Sequence, residues 1–396
     1  MMVDSRRAVT DKIRPTQKRV ITMEATTTRK SVNFLRGVPA QEALEQLVEA
    51  VSSGYRKVVR HYGTDVLQYG HFGGFKPLRA LIGQMHGVDA ERVIAGNGGM
   101  EVISLFFKSL PRQSLILIEE TTYDRVVSDA LRYGHRLIGV PMGLQGLDLD
   151  AFVSRVESNP EAAVFYGIPF HHNPTGLTYT VENRRAVETI CKNRRIRCAW
   201  DICYESLRYD GHRNEPIEVS DWGPILFSSF TKTISPGTKC GYMVLPADLV
   251  DPVTEVLSNT RLNPNLPSQA FIADFIDSGT YFEFLDRLCK LYKPRMEALN
   301  QALGANFPGS ATVDITGGFF ATLELPNIGP DKEKAFISAA GQAGVNISAA
   351  WDAVAPDLRT RKQKDGMFIR LTFPACEPEM IAWGIGTLKE VEEKFK

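Results

Sequence analysis

No apolar run in this chain approaches the roughly 18 residues that a bilayer-crossing helix needs, so no membrane segment is expected. Nor is there a surplus of one charge. Lys+Arg and Asp+Glu number 46 each, which removes the overall field that draws a protein to nucleic acid. The six cysteines, at 191, 198, 203, 240, 289 and 376, show no C-x-x-C spacing, so no zinc or dithiol framework is expected, and a reduced, cytoplasmic protein is the simplest account. Cys198 and Cys203 read as small buried hydrophobes. Internal repeats and low-complexity linkers are also missing. The first 30 residues carry eight Lys/Arg against three Asp/Glu but no apolar signal core. They read as an arm rather than a transit peptide, because such peptides are poor in acids. What remains is a globular chain with a small, locally held ligand.

With 396 residues and 43% hydrophobic composition, two packed units are expected. From about residue 75 to 280, apolar runs alternate with amphipathic ones. "RVIAGNG" precedes "GMEVISLFFKSL", "SLILIEE" precedes "YDRVVSDALRYG", and "AAVFYGIPF" leads to "VENRRAVETICKNR"; "IRCAWD", "PILFSSF" and "CGYMVLP" follow. Short β-rich runs spaced by helix-length segments predict an α/β fold with a mainly parallel sheet and helices on both faces. After about residue 285 the pattern changes to a smaller α+β unit. Residues 1–60 are assigned to the arm and part of that smaller domain, 61–284 to the large domain, and 285–396 to the C-terminal small domain.

Ligands of open α/β sheets sit beyond the carboxyl ends of the strands, and four stretches place chemistry there. In "FSSFTKTISPGTKCGYMV" a strand stops just before Lys232, set among Thr231, Thr233 and a Ser-Pro-Gly turn; a lysine becomes a nucleophile towards an aldehyde when its surroundings lower its pKa. Asp201 ends the apolar run "IRCAWD", where a carboxylate needs a cationic or hydrogen-bonding partner, and Tyr204 follows three residues later. Asn173 lies in the turn "PFHHNPTG". "NGGMEVISL" opens a helix on Gly98 and Gly99, whose free N–H groups suit a phosphate.

These motifs, in this order, resemble those of the fold type I pyridoxal phosphate (PLP) enzymes of the aminotransferase class I/II group. The likeness to the 2-aminoadipate and kynurenine aminotransferase branch, with its regulator-fused relatives, runs from about Asn33 to the C-terminus. It implies a large domain with a seven-stranded sheet and a homodimer with shared active sites. Lys232 would hold PLP as a Schiff base and move the substrate α-proton; Asp201 would pair with the ring nitrogen; Asn173 and Tyr204 would bind the phenolic oxygen; Tyr123, in "EETTYD", would stack on the ring. For the phosphate the resemblance implies Gly99 and Met100 through backbone N–H groups, Ser229, Lys239, and Tyr69 from the other subunit. For the substrate it implies Arg370, in "MFIRLTF", on the α-carboxylate, with Arg36, Gly37 and Asn173 around it; His172, which the family pattern does not supply, is added as a substrate-binding candidate.

The chain also departs from the family pattern. Lys239 stands where an arginine usually clamps the phosphate, keeping the charge but losing the two-pronged fork. His171 and His172 replace a neutral residue, so that either is a candidate acid or base beside the cofactor, with at least one read as packing only. His71 and Phe72 alter a segment near the substrate. The expected activity is therefore an aminotransferase acting between an amino acid and a 2-oxo acid. The alternative is a non-transaminating PLP enzyme performing elimination, replacement or cyclisation on an amino acid or S-adenosylmethionine. A PLP-binding module of a transcription regulator is disfavoured, since only some 30 residues precede the core.

Overall fold

The computed structural model describes residues 30–311 and 313–396. The basic arm read from the sequence lies, but for Lys30, outside the described residues. Seven strands form the main sheet: β1 (Val93–Gly96), β2 (Leu115–Glu119), β3 (Arg136–Val140), β4 (Ala162–Gly167), β5 (Arg197–Asp201), β6 (Ile225–Ser229) and β7 (Gly241–Val244). Their spatial order is β1-β7-β6-β5-β4-β2-β3. β7 runs antiparallel to both of its neighbours, and the other pairings are parallel.

The apolar runs of the sequence become strands because both faces of the sheet are covered. All residues of β1, β2 and β7 are buried. Alternate residues enter two separate cores. Ile116, Ile118, Tyr166, Phe227 and Met243 pack with Val102, Phe106 and Val126 from the helices Gly99–Ser109 and Asp124–Arg132. Leu117, Phe165, Trp200, Leu226 and Tyr242 face the other way, towards Val187 of the helix Val181–Asn193 and Phe271 of the helix Leu266–Asp277. Each such side chain, fully buried, contributes about 1.5–3 kcal/mol. Local signals set the helix starts: the Thr180 side chain accepts from the Asn183 N–H, and Asn265 from the Ser268 N–H, which caps otherwise unpaired donors.

The C-terminal part joins the antiparallel pair β8 (Phe320–Leu325) and β9 (Met367–Thr372) to the long helix Thr280–Asn306, which packs on the helix Pro378–Glu393. The segment Val32–Asn33 pairs with Val345–Asn346, so the chain before the first long helix lies against this part. The helix Val48–Tyr62 instead packs on Leu266–Asp277. Ser31–Lys396 form one compact unit.

Candidate active site

β5 ends on Asp201, which is buried. One carboxylate oxygen accepts from the Tyr166 hydroxyl at 2.9 Å and the other from the Cys203 N–H at 3.1 Å. Burial pushes this carboxyl above its usual range, with nearby Glu119 adding to the rise and the Cys203 and Tyr166 hydrogen bonds opposing it. Tyr204 follows one turn later. Its hydroxyl has no hydrogen-bond partner among the described residues, and its ring sits 5.7 and 5.6 Å from those of Phe319 and Phe320. Burial drives its phenol far above the usual value, so it is a donor at neutral pH.

β6 ends on Ser229, and the turn beyond it carries Lys232. The lysine Nζ donates to the Gly37 carbonyl at 3.1 Å and lies 5.7 Å from the Phe319 ring centroid. Burial is the largest cause lowering its pKa, and the charge of Arg370 acts in the same direction while Cys203 and Asp201 oppose it. Gly37 has to be glycine here: a Cβ would stand 2.6 Å from the Phe320 ring. The Ser-Pro-Gly that follows Lys232 is explained locally, since the Ser235 hydroxyl accepts from the Gly237 and Thr238 N–H groups and closes the turn Pro236–Thr238. Lys239 comes next, exposed and in the left-handed region at φ 48°.

Between β1 and the helix Gly99–Ser109 the backbone forms a cup. The Gly99 N–H points at the Ser229 hydroxyl at 3.4 Å, and Ser229 in turn accepts from the Thr231 N–H at 3.2 Å and donates to the Cys240 carbonyl at 3.1 Å. A Cβ on Gly241 would lie 2.3 Å from the Gly99 nitrogen, so only glycine lets β7 pass this close. Met100, half-buried, is the second residue of that helix. Tyr123 precedes the helix Asp124–Arg132, with its phenol pushed up to about 12 by burial first and the charges of Asp124 and Asp201 next.

Opposite these groups, Arg370 of β9 donates to the Asn173 side-chain oxygen at 3.2 Å and to the Leu35 carbonyl at 3.5 Å, with its guanidinium 5.0 Å from the Phe320 ring centroid. The Arg36 carbonyl accepts from the Thr372 hydroxyl at 3.0 Å, while Arg36 itself is exposed. Lys232, Asp201, Tyr204, Asn173, Arg370, Gly37 and the Gly99–Ser229 cup are thus brought together around one space. Tyr69 stands apart, 75% exposed.

His172 is placed differently from the expectation that it touches substrate. It is fully buried, one ring nitrogen lies 2.9 Å from Glu119 and the other 2.8 Å from the Thr175 hydroxyl, so both nitrogens are occupied within the protein. His171 is also buried, between Thr178 and Asn214, and burial, helped by the charge of Arg208, lowers its pKa to about 3; it stays neutral and packs. Sequence reading missed Tyr166 and Glu119, although each was visible as a polar residue within or ending an apolar run, where a partner is obligatory.

Residues 29–387 match the family model for aminotransferase class I and II, and the chain belongs to that family. A 2-aminoadipate transaminase of Thermus thermophilus is 26% identical over 302 residues, covering 74% of this chain and 75% of that protein. The aromatic-amino-acid aminotransferase 1 of Thermococcus litoralis is 24% identical over 311 residues, covering 74% of each. Among solved structures, LysN, an α-aminoadipate aminotransferase from Thermus thermophilus, superposes with a TM-score of 0.80 at 23% identity over 92% of this chain and 93% of that one, which shows the shared fold. The family depends on PLP, and the chain is a PLP-dependent aminotransferase. Its residues fit the cofactor: a glycine turn packed closely on β7 with its N–H on Ser229, a buried carboxylate, a phenol without a hydrogen-bond partner among the described residues and a lysine of lowered pKa lie close together.

Proposed function

We propose that Lys232 is the catalytic base and cofactor-holding residue of an enzyme that moves an amino group from an α-amino acid to a 2-oxo acid. PLP, when bound, supplies an electron sink that weakens the bonds at the substrate α-carbon. Asp201 pairs with the ring nitrogen and keeps a proton there. Tyr204 and Asn173 hold the phenolic oxygen, Tyr123 covers the ring, and the N–H groups of Gly99 and Met100 with Ser229 and Lys239 receive the phosphate. Arg370 grips the α-carboxylate against the wall made by Arg36 and Gly37. The observation that carries this reading is the placement of the Lys232 amine and the Arg370 guanidinium on the same short segment, through the Gly37 and Leu35 carbonyls. A substrate carboxylate held by one brings its α-carbon to the other.

A homodimer completes the site, with Tyr69 crossing to the partner's phosphate. Leu67, Tyr69 and Leu262 are 67–75% exposed, and a hydrogen bond from the Gly70 N–H to Asn263 ties their segments into one apolar patch, of the kind that marks an interface. Six free cysteines suit the reducing cytoplasm. The small domain of this reading comprises the segment before the helix Val48–Tyr62 together with residues 285–396, because that helix packs on Leu266–Asp277.

Two measurements follow. Mixing the PLP-loaded enzyme with an amino acid and no oxo acid is expected to release one equivalent of 2-oxo acid per site and then stop, read by mass spectrometry. Continued turnover with loss of a side-chain leaving group would replace transamination by elimination. Lys239→Arg is expected to tighten PLP about three- to tenfold, as a fork replaces a point charge on the phosphate. Fluorescence titration of the apoprotein measures this.

A further inference from the structure

His172, left without a catalytic part, belongs to a buried cluster centred on Glu119. This carboxylate is fully buried at the end of β2. It lies within hydrogen-bond distance of four groups: the Tyr179 hydroxyl at 2.7 Å, the Ile168 N–H at 2.9 Å, His172 Nε2 at 2.9 Å and the Thr122 hydroxyl at 3.0 Å. The ring tautomer follows from the other nitrogen. His172 Nδ1 faces the Thr175 N–H at 3.3 Å, a group that only donates, so Nδ1 accepts and the proton sits on Nε2, donated to Glu119. Four donors fill the acceptor capacity of one carboxylate.

Two of these donors adjoin residues of the cofactor site. Thr122 immediately precedes Tyr123, and His172 immediately precedes Asn173. The two segments come from different strand ends and share this one buried acceptor. We infer that Glu119 is a positioning residue that fixes the Tyr123 segment and the Asn173 segment at one spacing, so that the stacking ring and the side-chain amide meet the cofactor together. The inference rests on the reading that Tyr123 and Asn173 hold PLP.

Glu119→Gln separates this role from bulk packing. The Ile168 N–H bonds one carboxylate oxygen and His172 Nε2–H the other; a glutamine amide keeps both only if the imidazole moves its proton to Nδ1, which then faces the Thr175 N–H, so one buried donor is left unmatched either way. Loss of one buried charge-assisted bond is expected to raise the Kd for PLP about tenfold and to diminish the visible circular dichroism band of the bound cofactor, which reports how the ring is held. Asn173→Ala is measured beside it. If Asn173→Ala weakens PLP while Glu119→Gln leaves both Kd and the dichroism band as in the wild type, whatever its melting temperature, the positioning role is overturned. If Asn173→Ala leaves PLP binding unchanged, the underlying reading of the site fails instead. Should Glu119→Gln not fold, Thr122→Val removes a single donor on the Tyr123 side. A smaller change of the same sign then supports the role, and an unchanged dichroism band and Kd overturn it.

Discussion

Lys232→Ala is expected to lower turnover by about 10⁴-fold, combining loss of the proposed covalent anchor with loss of the group proposed to move the α-proton. The amine is suited to both tasks by its surroundings. Burial lowers its pKa, which raises the share of the neutral, nucleophilic form at physiological pH, and the Gly37 carbonyl at 3.1 Å fixes its direction. Lys232→Arg tests whether charge alone matters: it retains the cation, cannot deprotonate in the working range, and is expected to be as inactive as the alanine variant. Both variants are expected to bind PLP reversibly, because the other proposed contacts, from Asp201, Tyr123 and the Gly99–Ser229 turn, remain. Steady-state oxo acid production and removal of PLP by gel filtration give the two readouts. Restoration of activity by arginine would sink the nucleophile assignment.

Asp201→Asn is expected to cost about 10²–10³-fold in kcat/KM, the range for removing one preorganised electrostatic partner, while leaving the apoprotein at least as stable as the wild type at neutral pH. The side chain keeps its shape and both neighbours. The asparagine oxygen accepts from the Cys203 N–H, and its NH₂ donates to the Tyr166 hydroxyl, which can turn from donor to acceptor. What disappears is a buried charge. The sign of the pH effect follows from the raised pKa of this carboxyl. A folded-state pKa above the unfolded value of about 3.9 favours the fold when both states are protonated, and the advantage is lost as pH rises through the folded value. The melting temperature of wild-type apoprotein should therefore fall relative to Asp201→Asn as pH rises from about 4. A parallel pair of melting curves would show that Asp201 carries no such penalty. The proposed pairing with the cofactor would be the function for which this stability is given up.

The parts of the site governed by short-range rules were legible in the sequence. Lys232 and its Ser-Pro-Gly turn, Asp201 at a strand end, Asn173 in its turn and the paired glycines before a helix all follow from neighbours within a few residues. The partners of these groups were not. Asp201 is bonded by Tyr166 from the adjacent strand, 35 residues earlier, and His172 by Glu119, 53 residues earlier. Both contacts depend on β4 lying between β5 and β2, and spatial order is not written in any local pattern. That is why His172 resembled a free acid or base beside the cofactor when its ring is spent on holding a backbone. The reversed β7 is half-legible: the link Phe230–Cys240 is shorter than the dozen or more residues that a parallel crossover requires.

That reversed strand also sets a constraint on how the chain is made. β1 lies at one edge of the sheet, and its neighbour there is β7. A ribosome adding about 5–20 residues per second takes roughly 7–30 s to synthesise residues 97–240. Throughout that interval the apolar stretch Val93–Gly96 has no strand to pair with, and it offers nascent chains on neighbouring ribosomes an open template. Pairing of β1 within the sheet thus waits for four residues, Gly241–Val244, late in the large domain.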